Sequence, residues 1–333
     1  MVLVQNYSLA VFLCVVAMVC WGSWQNTQNL IGKEWRFEHY YWDFSAGIFI
    51  FALIMAFTFG SMGNQGRSFI EDLCQADAGN LVSAAIGGVI WNTGTLLLVA
   101  AISVAGMSVA FPIGGGIGWT LGIFINYIGK PEGNPLFLFG GTAFIVLAIL
   151  LSMQSYRKLA RHRQKTTFKG IVLSLLAGLC IAFFYRFVAS ALATDFSAAD
   201  NGRISSYTAV VFFSAGALVC TALLNPFFMA RPVQGEPVKM SGWLKGDART
   251  HLLGMLGGAV WCLGNSVSFM AVGSASPAIS YGLSNSAPVV AALWGIFVWK
   301  EFRDAPKGTS QLLVLMFACY IAGLALIVYS RFA

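Results

Sequence analysis

Gly87-Gly88-Val89-Ile90-Trp91-Asn92-Thr93-Gly94 returns at an offset of 170 residues as Gly257-Gly258-Ala259-Val260-Trp261-Cys262-Leu263-Gly264, and the same offset lays Lys130 on Lys300. Each copy lies in the third apolar segment of a run of five, so the chain reads as one five-segment unit written twice. An odd number of crossings per unit makes the second copy enter a membrane from the opposite side. Two such copies have inverted topology about a pseudo-two-fold axis in the membrane plane, the pattern expected of a secondary transporter.

The composition agrees with a membrane solvent: 333 residues, 58% hydrophobic and 10% charged, with a mean hydropathy of +0.74. Segments long enough to cross about 30 Å of hydrocarbon as helix run from Ser8 to Ile31, Tyr41 to Gly60, Leu81 to Val104, Met107 to Ile128 and Leu136 to Met153. Five more run from Gly170 to Leu192, Ser206 to Met229, Leu252 to Val272, Ala278 to Trp299 and Gln311 to Ser330. Unpaired backbone groups are too costly in lipid for other open-ended structures, and barrel-type alternation is absent, so an all-α integral membrane fold of ten helices is expected. The units are residues 1–153 and 169–333, joined by a basic cytoplasmic linker at 154–168. Met1 to Ser8 carries no Lys or Arg, so the first segment reads as a helix and not as a cleaved signal.

Most of the 20 Lys and Arg residues fall on one side of this arrangement, with only Arg67, Lys130, Arg203 and Arg331 on the other. The positive-inside rule puts the basic side in the cytoplasm and both termini outside, in a cell membrane expected to be a bacterial inner membrane. That distribution explains the net charge of +7 without nucleic acid. No G-x-x-x-x-G-K-[ST] loop is present, so ATP is not expected as the energy source. Of seven cysteines, Cys14, Cys20, Cys180, Cys220, Cys262 and Cys319 fall in apolar spans and read as packing residues, with no metal or other cofactor implied.

Polar groups at membrane depth are the candidate site, because each must find a partner there. Trp21, Gln25 and Gln28 recur at helical spacing beside Asn26, offering an aromatic ring and amides on one stripe. Trp91, Asn92 and Thr95, Trp261 and Asn265, and Tyr281 add to them. Two interruptions sit at matching places in the fourth and ninth spans: Pro112 with Gly114, Gly115 and Gly116, and Ser284-Asn285-Ser286 followed by Pro288. They read as helix breaks lining a cavity, or as small residues for close packing. Arg186 stands some 16 residues, roughly 24 Å, into its helix and reads as a substrate ligand, a brace for a broken helix or a snorkelling residue. Asp43 is the only carboxylate touching a span, too far in depth to pair with Arg186, and reads as a proton-coupling group or as the start of its helix.

At these residues the chain resembles the ureide permease, glucose/ribose porter and rhamnose-proton symporter group of the drug/metabolite transporter superfamily. The resemblance is sharpest at Tyr41-Trp42-Asp43-Phe44-Ser45 with Ala56-Phe57-Thr58-Phe59-Gly60, at Gly88 to Gly94 running on to Ala105-Gly106-Met107-Ser108, and at Trp299-Lys300-Glu301. It implies ten helices in two inverted halves and inward transport by alternating access. The second-span match resembles ureide permeases, whereas the short central linker is similar to bacterial sugar porters. The expected solute is therefore small, neutral and polar: a monosaccharide such as ribose or glucose, carried alone or with a proton or sodium. A ureide or nucleobase permease is the alternative, followed by a metabolite or drug exporter. An enzyme would need clustered acid-base groups at membrane depth, and His39, His162 and His251 all lie in or beside loops.

Overall fold

The computed structural model describes residues 1–32, 34–159, 168–193, 195–196, 202–233 and 235–333, so most of the expected linker, with His162, lies outside the described residues. The described residues form helices and connections. The first half contains α1 (Tyr7–Ser23), α2 (Asn26–Ile31), α3 (Phe37–Phe57), α4 (Phe69–Gln75), α5 (Ala78–Ala105), α6 (Met107–Gly129) and α7 (Pro135–Leu159). The second contains α8 (Phe168–Ala191), α9 (Ser206–Ala230), α10 (Met240–Trp243), α11 (Ala248–Ala275), α12 (Pro277–Ser284), α13 (Pro288–Leu293) with a π-turn at Trp294–Val298, and α14 (Thr309–Tyr329). Among the described residues nine helical stretches are long and apolar enough to cross a membrane. The remaining expected span, α6, is a 23-residue helix without an Asp, Glu, Lys or Arg.

Apolar side chains cover the outside of the bundle. Phe12, Val15 and Val19 on α1, Ile50, Ile54 and Phe57 on α3, and Leu175, Leu176, Leu179 and Phe183 on α8 are exposed along helical stripes. An apolar surface of that extent is a lipid-facing one, and the chain is a multi-pass membrane protein. Inside, four glycines bring helices into backbone contact at two crossings, α3 with α11 and α5 with α9. A side chain at Gly47 of α3 would strike the Met255 carbonyl of α11, and one at Gly258 of α11 would strike the Phe44 carbonyl of α3. Gly216 of α9 meets the Ala85 carbonyl of α5 in the same way, and Gly88 of α5 meets that of Phe213. Backbones this close exclude lipid and maximise dispersion contacts, the main source of helix association in hydrocarbon.

Two joints share one unusual backbone conformation. Gly106, between α5 and α6, has φ 77° and ψ 157°, and Ser276, between α11 and α12, has φ 71° and ψ 158°. This backbone region is almost reserved for glycine and costs about 1–3 kcal/mol. Ser276 occupies it and accepts the Ile279 N–H on Oγ at 3.4 Å, which caps α12.

One sequence expectation needs correction. Helix α6 runs unbroken through Pro112 and Gly114 to Gly116. Pro112 is its sixth residue, so it removes one ladder bond in the second turn without ending the helix. Gly114 serves packing, since a side chain there would lie 3.0 Å from the Ser174 carbonyl of α8, whereas Gly116 has room for one. Its counterpart does break, since α12 ends at Ser284 and α13 starts at Pro288.

The two ends of the bundle differ. One carries Arg36, Lys239, Lys245 and Lys300 and is called the basic face below. At the other, residues 1–4 are tied down by backbone and hydroxyl bonds, Val2 N–H to the Phe59 carbonyl at 2.8 Å, Tyr207 Oη–H to Val2 at 2.9 Å and Ser274 Oγ–H to Val4 at 2.9 Å. Asp72 on α4, fully buried, accepts there from Arg67 Nε at 3.1 Å, Thr208 Oγ1 at 2.6 Å and the Ser205 N–H at 2.8 Å.

Candidate functional site

The glycines that draw α5 and α11 against their neighbours leave Trp91 and Trp261 as the bulk at that level, and the two rings meet with centroids 4.0 Å apart. Trp21 of α1 stacks on Trp261 at 5.9 Å and 19°, and its Nε1–H donates to the Trp261 carbonyl at 3.2 Å. Phe213 of α9 stacks on the same indole at 5.8 Å and 15°. Each such pair contributes about 0.5–1.5 kcal/mol beyond burial, and together the rings form a column of flat apolar faces across the bundle.

Amides lie beside this column. Asn92, fully buried next to Trp91, accepts on Oδ1 from Tyr41 Oη–H at 2.7 Å and Thr221 Oγ1–H at 3.3 Å, while its Nδ2 has no partner. Asn265, one turn beyond Trp261 on α11, is fully buried with neither amide atom bonded. An unpaired buried polar group costs about 1–3 kcal/mol, so Asn265 weakens the fold. Ser284 Oγ is also buried without a partner.

The other expected site residues are employed elsewhere. Tyr281, fully buried, directs its hydroxyl to the Gly118 and Ile181 carbonyls at 3.0 and 2.9 Å. Asn285 Nδ2 donates to the Tyr281 carbonyl at 3.0 Å and finishes α12, and Thr95 Oγ1 donates to the Trp91 carbonyl at 3.1 Å. The stripe of Trp21, Gln25 and Gln28 does not line one surface. After Ser23 the chain tightens to i to i+3 bonds from Thr27 to Trp24 and from Gln28 to Gln25, both 3.1 Å, which turns Gln25 out to an exposed position and leaves Gln28 half-buried. Asn26 accepts from Trp299 Nε1 at 2.6 Å at the basic face, and the buried residue of that turn is Thr27, bonded to Tyr40 Oη at 2.8 Å. Arg186 is half-buried against Gly129, at the end of α6 away from the basic face, and has no hydrogen bond among the described residues.

Asp43 has the partner that sequence reasoning missed. His251 Nδ1 lies 2.9 and 3.0 Å from its two carboxylate oxygens, and Trp243 Nε1–H donates to Oδ1 at 3.1 Å. The Asp43 side chain is 5% exposed and that of His251 23%, so the carboxylate reaches the aqueous side through the imidazole. Asp43 is the seventh residue of α3 and His251 the fourth of α11. Both helices leave the basic face, so equal depth was the available signal. His39 flanks the pair and donates Nε2–H to the Lys239 carbonyl at 3.1 Å. Asp247, which caps α11, is held below the ordinary carboxylate range by hydrogen bonds from Thr250 and so stays ionised near His251. Among the described residues no group of three or more His, Cys, Asp or Glu side chains is placed to hold a metal ion.

The ureide permease family profile matches residues 40–165 and 152–330 of the chain. Ureide permease 2 of Arabidopsis thaliana is 24% identical across 99% of both chains, and ureide permease 1 of the same plant is 23% identical over the same shares. A probable ureide permease of Vigna unguiculata, A3, is 23% identical over 92% of this chain and 99% of its own. A solved crystal structure aligns over 98% of this chain and 99% of that one with a TM-score of 0.61 at 16% identity, a likeness of fold alone.

Proposed function

The chain belongs to the ureide permease family, of transporters and not enzymes, and from that premise we propose that the small polar solute it carries is a ureide or a related cyclic amide such as a nucleobase. The observation that carries this reading is the unpartnered amide of Asn265 one turn from the tryptophan column. A ureide presents a carbonyl and an N–H on one edge, and the two halves of an asparagine amide pair with that edge as acceptor and donor. A planar ring then lies on an indole face, with Asn92 Nδ2 as a second donor. The monosaccharide expectation has no namesake among these relatives, and a puckered sugar makes less use of stacked flat faces. The expected bacterial inner membrane likewise has no support from relatives that are plant proteins.

The transport cycle proposed is alternating access between two inverted repeats. Support comes from the paired close crossings of Gly47 and Gly258 with those of Gly216 and Gly88, and from the matched backbone angles at Gly106 and Ser276. The basic face is then cytoplasmic and both termini external. Protons are the proposed coupling ion, taken by the Asp43–His251 pair.

Uptake of labelled allantoin into liposomes carrying the purified protein tests the solute, with uracil, ribose and glucose as competitors. Inhibition by uracil but not by the sugars is expected. Saturable ribose uptake that allantoin leaves untouched would return the reading to a sugar. Asn265→Leu provides a second check. Since the amide is unpaired in the fold, an apolar residue of similar size is expected to leave thermal stability unchanged or higher, while allantoin affinity falls about ten- to a hundred-fold. A variant that binds normally, or one that unfolds, removes Asn265 from the site.

A further inference from the structure

A cavity of about 290 Å³ opens at the basic face between the start of α3 and the ends of α5 and α9, with Arg36, Phe37, Leu96, Asn225 and Phe228 in its wall. Asn225 is fully buried. Its Nδ2 donates to the Glu38 carbonyl at 2.8 Å, and because a carbonyl only accepts, the amide orientation is fixed and Oδ1 is the atom left without a partner. The site therefore asks for an N–H donor. Its charge is balanced: Arg36 is bound by Nε and Nη2 to the Glu38 carboxylate at 3.1 and 2.7 Å, and by Nη1 to the Glu236 carbonyl at 3.1 Å. An anion or cation gains nothing there, whereas a neutral molecule leaves the pair intact. The volume is at the low end of ligand cavities, about 300–1,000 Å³, and fits one small ring against the Phe37 and Phe228 side chains.

The cavity also abuts the proposed midplane site. Leu96 lies one turn along α5 from Asn92, Asn225 lies one turn along α9 from Thr221, and Thr221 and Asn92 are hydrogen-bonded at 3.3 Å. At the other end of the bundle, the chain's own residues 1–4 are seated against α9 and α11 by the bonds from Tyr207 and Ser274.

Resting on the ureide reading above, we infer that this cavity is a second solute subsite on the basic-face half of the path, which takes a neutral cyclic amide or urea by donation of its N–H to Asn225 Oδ1. It is separate from the site of Asn265 and holds the solute between the midplane and the cytoplasm.

The test is protection of a reporter thiol in the wall. Ser103, which lines the cavity and donates Oγ–H to the Ala100 carbonyl at 2.8 Å, is changed to Cys in a Cys74→Ser background and labelled from the basic face with a membrane-impermeant maleimide. Allantoin is expected to slow labelling in a saturable way. Adding Asn225→Leu is expected to raise the half-protecting concentration at least about five-fold, the loss of one buried hydrogen bond. Adding Asn265→Leu is expected to stop transport and leave protection in place. If Asn225→Leu does not fold, Phe228→Ala reads the same shift through the lost ring contact. Transport of allantoin without protection overturns the subsite and leaves the ureide reading standing, as does protection that Asn265→Leu abolishes. Neither transport nor protection overturns both, and protection lifted by extracting bound lipid instead assigns the cavity to an acyl chain.

Discussion

Asp43→Asn is expected to abolish accumulation of solute against its gradient while exchange of solute for solute continues. Asparagine keeps the size of the side chain and can still accept from Trp243, so the knot between α3, α10 and α11 is retained. What it loses is the ionisable group on a side chain only 5% exposed, whose route to water runs through His251. With no site to load and release a proton, the accumulation ratio in proteoliposomes under an imposed proton gradient falls to about one, where a coupled carrier reaches ten-fold for each 1.4 kcal/mol of driving force. His251→Gln is expected to reduce accumulation as well, since it removes the group that joins Asp43 to the basic face. Asp43→Leu is a different experiment. It leaves the His251 and Trp243 donors facing an apolar residue, and breaking a buried pair by removing one partner costs about 3–5 kcal/mol. Undiminished proton-driven accumulation by Asp43→Asn would reduce the carboxylate to a structural link.

Gly88→Val and Gly258→Val are each expected to prevent folding, and to the same degree. At both positions the first side-chain carbon would fall on a carbonyl oxygen of the facing helix, Phe213 for Gly88 and Phe44 for Gly258. Overpacking that side chains can absorb costs about 1–3 kcal/mol. Here backbone must move, and α5 cannot leave α9 without drawing Trp91 off Phe213, whose ring centroid lies 5.6 Å away. Against a total stability of about 5–15 kcal/mol, little folded protein is expected from either variant by size-exclusion profile in detergent. Gly140→Val, where nothing lies within reach of a new side chain, is the control and is expected to fold. If one of the pair folds and the other does not, the crossings are not equivalent and the inverted-repeat reading loses its main support.

Much of the fold was legible because a bilayer imposes one rule on every crossing segment, that its backbone bonds be made internally and its outer surface be apolar. The segment drawn from Ser206 to Met229 is the helix Ser206–Ala230, and that drawn from Met107 to Ile128 is Met107–Gly129. Local chemistry misled at Pro112, where one lost bond in the second turn does not end the helix, and at Gln25, where a periodic stripe ignored the tightened turn after Ser23. Trp91, Trp261, Asn92 and Asn265 were found as polar or aromatic groups at depth, but the order among them was not visible. Nothing in the spacing says that Asn265 is left unpaired while Tyr281 is fully engaged.

The amino-acid sequence alone determined the solvent, the helical class and the basic face, because hydropathy and charge act segment by segment. Tertiary structure decided which polar groups have partners. Asp43 and His251 are 208 residues apart and meet because Gly47 and Gly258 bring α3 and α11 into backbone contact and Gly254 leaves room for the Asp43 side chain. Asn225 is bound on one side and open on the other because Glu38 presents its carbonyl to one half of the amide. Hydrogen bonding and close packing depend on distances between segments remote in the chain, and only the folded bundle sets those distances.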